Sequence, residues 1–333
     1  MQQFAHRLGR TVVILHLLTA GCTAVVPSKG GGQTAAPPTR QFDPRDIALP
    51  SGYRIEIVAT GLTYPTGVTF DAQNRPHVLE GGYSYGEDFR PARLLRIDSG
   101  KQKVVTSSED GVPWTGVSFR DGAFYIAQGG VQSGGRIVRV AGDGTTKTLI
   151  ADLPSRGDHH TNGPAIGPDG AIYFGVGTAT NSGVVGTDNY KFGWLKRSSG
   201  FHDIPGKDIK LAGKNFSSAN PLTPDDGSKA KTGAFSAFGT PTRAGQVIRG
   251  QMPCTGAIMR IAPQGGAAQL VAWGLRNPFG LRFGGDGMLY VTENQFDDRG
   301  SRPSGERRIC SGGSTRSSRP SGTAGRTTSA GIR

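Results

Sequence analysis

The sequence is poor in cysteine, in acidic residues and in long apolar runs, and each shortage excludes something. Its three cysteines, Cys22, Cys254 and Cys310, form no CxxC pair. A zinc knuckle and a dense disulfide framework are therefore excluded. No apolar stretch reaches the ~20 residues that a membrane-spanning helix needs. There is no GxxxxGK[ST] phosphate cradle and no GxSxG nucleophile elbow. The glycine pairs Gly129-Gly130 and Gly134-Gly135 read as hairpin turns instead. Asp and Glu number 25 against 38 Lys and Arg, a net charge of +13. An excess of that size invites a nucleic-acid reading. Its placement argues against one, because roughly half of it lies in a single tail after residue 298. No nucleic-acid partner is expected.

What is present is a turn-rich chain with 53 glycines and 21 prolines among 333 residues. At the amino terminus His6, Arg7 and Arg10 precede an apolar run from Thr11 to Ala20. That run fits a signal-peptide core and is too short for a mature membrane helix. It ends in Leu18-Thr-Ala-Gly-Cys22, which resembles a bacterial lipoprotein signal. Residues 1–21 are therefore expected to be a signal peptide, and Cys22 the site of lipidation. Ordinary cleavage beside an incidental cysteine is the alternative. Residues 22–43 have no apolar periodicity and read as a tether.

A strand pattern then repeats. Thr66-Gly-Val-Thr-Phe70 leads to a strand from His77. Thr115-Gly-Val-Ser-Phe119, Asn162-Gly-Pro-Ala-Ile166 and Phe279-Gly-Leu-Arg-Phe283 lead to strands near residues 122–130, 169–177 and 286–294. Asp-Gly pairs between such runs are strong hairpin signals, because glycine accepts positive φ. Third strands (Arg93–Ile97, Gly135–Val140, Ala257–Ile261) and fourth strands (Gln102–Thr106, Thr146–Ile150, Gln269–Trp273) follow. Four strands in a repeat of roughly 45–50 residues predict propeller blades rather than a β-sandwich. The expected fold is an all-β propeller over residues 44–303, with about four blades visible. The third unit is interrupted by a long insertion, about residues 179–256, whose Phe192, Trp194, Phe201, Phe216, Phe235 and Phe238 could pin it across one face.

Two polar clusters sit where chemistry could occur. Gly157-Asp-His-His-Thr-Asn-Gly163 precedes one blade's first strand. An imidazole there can take a proton from a hydroxyl, and a neighbouring carboxylate can orient it. Surface histidines or metal ligands are equally open readings of the bare triplet. Gly274-Leu-Arg-Asn-Pro-Phe-Gly280 holds the same place in the next blade, where a guanidinium can bind carboxylates. Loops that precede equivalent strands gather on one propeller face, so the two clusters should converge.

These stretches resemble the glucose/sorbosone dehydrogenase family, the soluble quinoprotein sugar dehydrogenases. The resemblance rests on Tyr64–Phe70, Gly157–Gly170, Ala179–Gly186, Phe201–Pro205, Trp273–Gly280 and Asp297–Pro303. It implies a six-bladed propeller that uses pyrroloquinoline quinone (PQQ) and calcium to oxidise a sugar in the periplasm or cell envelope. It implies that His159, after Asp158, is the general base, that Arg276 and Asn277 lie beside the cofactor, and that a respiratory-chain acceptor takes the electrons. The Glu293–Phe296 loop matches the place where the family supplies carbonyls to calcium, without assigning ligands. One departure stands out: the family's long-insertion branch has a cysteine at the place of Gly206, paired with the one matching Cys254.

Residues 304–333 are Ser, Gly, Thr and Arg with almost no apolar side chains, and cannot bury a blade. They read either as an out-of-frame continuation or as a disordered basic tail. An out-of-frame tail would leave the propeller truncated and open, and could leave it inactive. Two further functions stay open on these residues: a calcium-dependent lactonase-type propeller hydrolase, and a non-catalytic propeller that binds glycans or proteins.

Overall fold

The computed structural model describes residues 42–82, 90–130, 133–191, 193–223 and 227–294. The signal peptide, Cys22, most of the tether, Phe192 and the tail with Cys310 lie outside these residues. A single 3₁₀ turn at Pro44–Asp46, capped by Asp43, is followed by chain outside any strand as far as Tyr64, with a turn at residues 51–52 and positive φ at Gly52, Gly61 and Tyr64.

The rest is almost wholly antiparallel sheet. The first unit is β1 (Pro65–Phe70), β2 (Pro76–Glu80), β3 (Ala92–Asp98) and β4 (Lys101–Ser108), hydrogen-bonded in that order. The second is β5 (Trp114–Arg120), β6 (Ala123–Gly129), β7 (Gly135–Ala141) and β8 (Thr146–Leu153). Asp121 and Gly122 join β5 to β6 with positive φ at both residues, a turn whose twist matches that of the strands. The third unit opens with β9 (Thr161–Ile166) and β10 (Ile172–Val176). The insertion follows, with α1 (Thr187–Lys191), α2 (Trp194–Arg197), β11 (Ile209–Ala212), β12 (Asn215–Ala219), β13 (Lys229–Gly233) and β14 (Ala244–Ile248). The unit resumes with β15 (Ala257–Ile261) and β16 (Gln269–Trp273), and β15 pairs with β10. A hairpin of β17 (Pro278–Phe283) and β18 (Leu289–Glu293) begins the fourth unit. The protein is an all-β propeller, and the sequence repeat marks its blades.

The first strands of successive units, β1, β5, β9 and β17, pack side by side. Apolar side chains fill each gap between units. Leu79 and Leu94 meet Trp114, Phe124 and Ile126 between the first two. Ile137 and Leu153 meet Phe174, Val176 and Met259 between the second and third. Ala165 and Ile258 meet Leu281, Phe283 and Leu289 between the third and fourth. Val117 and Phe119 pack into the first of these gaps, whereas the matching Val68 and Phe70 of β1 are 60% and 55% exposed. Among the described residues the first unit thus presents a bare blade face.

At the insertion's root the strand ends are neighbours, since Val176 pairs with Ala257. The buried Asp203 staples them together. Its carboxylate accepts from Ala179 N (2.7 Å), Thr180 Oγ1 (2.6 Å) and Thr255 Oγ1 (2.9 Å). Burial still pushes this carboxyl above its ordinary range. Beside the staple lies Cys254, a buried free thiol that burial pushes up to about 11. A Cβ built on Gly206 would stand 3.0 Å from its sulfur. A disulfide asks for about 3 Å between one Cβ and the opposite sulfur. Position 206 thus lies within bonding reach of the Cys254 sulfur.

Gly206→Cys is expected to close that bridge under oxidising conditions, with loss of one titratable thiol and a higher melting temperature. Closing so long a loop is worth up to about 4 kcal/mol, reduced here by crowding against Leu270 and Trp273.

Candidate functional site

Three short segments meet at the start of β9 and β17. The first carries Asp158, His159 and His160, the second follows β10, and the third carries Arg276 and Asn277. The meeting is made by backbone. Gly177 N donates to His160 O (3.0 Å), Thr178 N donates to Arg276 O (2.7 Å), and Asp158 N donates to Ala179 O (2.9 Å). Gly177 sits at the centre. A Cβ there would fall 2.2 Å from His159 Cβ and 3.2 Å from Asn277 Oδ1, so no larger residue fits. The structure thus brings both sequence clusters into one place.

His159 is buried, and its tautomer follows from its contacts. Nδ1 lies 2.8 Å from Thr178 O and 3.0 Å from Thr178 Oγ1. That hydroxyl spends its own proton on Thr180 O, so it meets Nδ1 as an acceptor. Both contacts require the proton on Nδ1, which leaves the lone pair on Nε2. The group that orients the imidazole is therefore Thr178, which the sequence did not single out.

Asp158 serves a different neighbour. Its carboxylate accepts from Asn189 Nδ2 (3.0 and 3.2 Å) and from Trp194 Nε1 (2.8 Å). Asn189 also holds Gly186 N through Oδ1 (2.7 Å), and Trp194 packs with Val185, Leu195, Phe201 and Phe238. One buried carboxylate thus clips the helical part of the insertion to the residue preceding His159. Of the aromatic anchors expected from sequence, Trp194, Phe201 and Phe238 share this cluster, while Phe216 and Phe235 are half-buried elsewhere.

Arg276 is half-buried and held at three points among the described residues. Its N–H donates to Glu293 Oε1, its Nε to Asn181 Oδ1 (2.7 Å) and its Nη1 to Asn294 O (3.0 Å). The backbone contact repeats one in the first unit, where Thr63 N donates to Glu80 Oε1 (2.7 Å). A carboxylate closing the second strand fixes the residue two before the first. In the fourth unit that residue is an arginine.

Asn277 belongs to another repeat. Thr66 Oγ1 donates to Trp114 O (2.8 Å), and Thr115 Oγ1 donates to Thr161 O, each hydroxyl tying one inner strand to the next. Asn162 takes the matching place in the third unit. Instead of tying to backbone it donates from Nδ2 to Asn277 Oδ1 (2.8 Å). Asn277 is left with Nδ2 as a donor that has no partner among the described residues. Asn162 Oδ1 is buried and also lacks a partner. Such an orphan acceptor costs on the order of 1–3 kcal/mol, and it falls where the repeat is broken to aim Asn277.

Among the described residues no group of three or more His, Cys, Asp or Glu side chains could hold a metal ion. The loop expected to offer carbonyls to calcium passes out of the described residues after Asn294.

No family model matches the chain, and no curated protein matches it. Among solved structures it is similar to the PQQ-bound aldose sugar dehydrogenase of Streptomyces coelicolor, at 18% identity and a TM-score of 0.41, with 72% of this chain and 59% of that one covered. It is similar to the holo PQQ domain of pyranose dehydrogenase from Coprinopsis cinerea, at 14% identity and a TM-score of 0.44, with 78% and 51% covered. It is also similar to a gluconolactonase from Xanthomonas campestris, at 13% identity and a TM-score of 0.30, with 72% of each covered. The chain thus spans little more than half of the two dehydrogenase structures. These likenesses are of fold.

Two predictions follow from the site's interior. Asn162→Thr restores the hydroxyl tie and removes the orphan acceptor. It is expected to raise stability by about 1 kcal/mol in urea unfolding while loosening Asn277. His160 is held down to about 4 from 6.5 by burial. The unfolded chain therefore binds its proton first, and stability should fall as pH drops from about 6.5 to about 4, by on the order of 3 kcal/mol in all. His77, also lowered by burial, adds in the same direction, and the raised Asp203 opposes it. Unfolding of wild type and His160→Gln across that window isolates the contribution of His160.

Proposed function

We propose that this site oxidises a hydroxyl of an aldose or related sugar with PQQ as the electron acceptor. The observation that carries the reading is one convergence: an imidazole whose protonated Nδ1 is tied to Thr178 O beside a fixed guanidinium and an aimed amide donor. PQQ is a planar ortho-quinone with three carboxylates, and when bound it accepts a hydride from the substrate carbon. Its anionic edge suits Arg276 and Asn277 Nδ2, which supply charge and a directed hydrogen bond. The described residues match that part of the group. Calcium finds no side-chain ligand set among them, and no step here depends on it.

In this reading Nε2 of His159 takes the proton of the substrate hydroxyl as the C–H hydride leaves. Thr178 keeps the ring turned so that the basic nitrogen faces the reacting oxygen. Asp158 acts as a positioning residue: it holds the insertion against the loop that carries His159. Asn181 and Asn294 keep Arg276 from swinging away. The expectations on location accompany this reading: a chain anchored through Cys22 in the cell envelope, passing electrons to a respiratory-chain acceptor.

The test is PQQ titration followed by absorbance, then dye-linked oxidation of an aldose panel. Binding and turnover are expected, with turnover reduced about 10²–10⁴-fold in His159→Ala. Calcium-dependent lactone hydrolysis without quinone would replace this reading with a hydrolase. Sugar binding that neither turns over nor responds to His159→Ala would replace it with a binding propeller.

A further inference from the structure

Beyond its contacts with the site, the insertion carries a surface of its own. Its strands pair as β11 with β14 and β12 with β13, two separate two-stranded sheets that follow one another through Gly213 and Lys214 and together make a ribbon. Burial alternates along it. In the second part Ala230 and Thr232 face inward, while Lys229 and Lys231, opposite Ala219 and Ser217, face outward. In the first part Lys210 and the facing Val247 are both exposed. Lys207, Lys214, Arg243 and Arg249 are exposed as well. The exposed charges of the described ribbon are thus seven basic groups against Asp208 alone, which pairs with Arg249. The other six basic groups make no ion pair among the described residues. Counting Asp225 and Asp226, which lie outside the described residues, residues 207–249 remain net positive in sequence. Val247, Leu222 and Met252 are exposed apolar side chains in and beside this basic surface.

We propose that the outward face of this ribbon is a docking surface for an anionic phospholipid bilayer. Interleaved cations and exposed apolar groups are what such a surface selects, the cations for headgroup phosphates and the apolar groups for the boundary beneath them. A soluble polyanion would use the charges and leave Val247, Leu222 and Met252 without a role. Among the described residues no helix is long and apolar enough to cross a membrane. The tether expected from sequence supplies the bilayer. A lipidated Cys22 would hold the propeller on about 21 residues, a reach of at most ~75 Å. Confinement at that distance makes weak contacts effective. This inference does not rest on the enzymatic reading.

The experiment is co-sedimentation of the full chain with phosphatidylglycerol/phosphatidylcholine vesicles and with phosphatidylcholine alone. Two triple variants are compared at equal net charge: Lys210→Glu/Lys229→Glu/Lys231→Glu on the ribbon and Lys101→Glu/Lys103→Glu/Lys147→Glu on the other units. The wild type is expected to partition onto anionic vesicles and to release as salt rises from about 0.05 M to about 0.5 M. The ribbon variant should lose at least about tenfold in partition, and the matched variant should keep it. A ribbon triple to Gln, with weaker loss, guards against misfolding caused by Glu. Equal loss in both Glu variants, equal binding to neutral vesicles, or no response to salt would each overturn the proposal. So would a ribbon variant that loses only its binding to soluble heparin.

Discussion

Everything in this molecule hangs on how closely its inner strands approach one another. Gly116 on β5 is so near the next unit that a methyl group would fall 1.9 Å from Gly163 O. Gly67 on β1 sits more loosely, 3.3 Å from Val117 by the same measure. The hydroxyls of Thr66 and Thr115, each just before its glycine, reach across these gaps to the neighbouring carbonyl. Close approach is what lets Leu79, Trp114, Ile137, Phe174 and Ile258 fill the wedges behind it. The site is built where the pattern is relaxed, with asparagine in place of threonine.

That relaxation explains a division of labour. The tie that would have stiffened the third gap is given up, and an acceptor is left without a donor. In return an amide is aimed and a histidine loop comes to rest against Gly177. The first unit offers a contrast in a buried carboxylate that is fully met. Glu80, buried at the end of β2, is met by Thr63 N and by the guanidinium of Arg93. Local departures from a repeat are where function is expected to concentrate.

Most of the blade pattern was legible in the sequence because hairpin turns and alternating strands are local signals. Ala257–Ile261 and Gln269–Trp273 came out with the same limits in sequence and structure. The interruption of the third unit was legible too, because strand spacing failed there. The convergence of His159 with Arg276 and Asn277 followed from repeat equivalence. Their contacts did not. Thr178 acts through a backbone carbonyl, which no side-chain pattern encodes. The carboxylate of Asp158 turns toward Trp194, 36 residues away, a pairing that depends on how the insertion folds back. Asp203 sat inside a recognised stretch, yet only burial and three donors reveal it as the staple.

The staple has an evolutionary consequence. Because Val176 and Ala257 are paired neighbours, the excursion between them leaves and rejoins the blade at a single point. To the blade, those residues are equivalent to a hairpin turn of any length, since the entropy of closing a loop grows only slowly with its size. A lineage could lengthen, trim or exchange the whole segment without disturbing strand register. What it could not alter freely is the contact between Asp158 and Trp194, where the graft touches the chemistry. Diversity in such a scaffold should accumulate in the graft, and constraint where it grips Asp158 and Arg276.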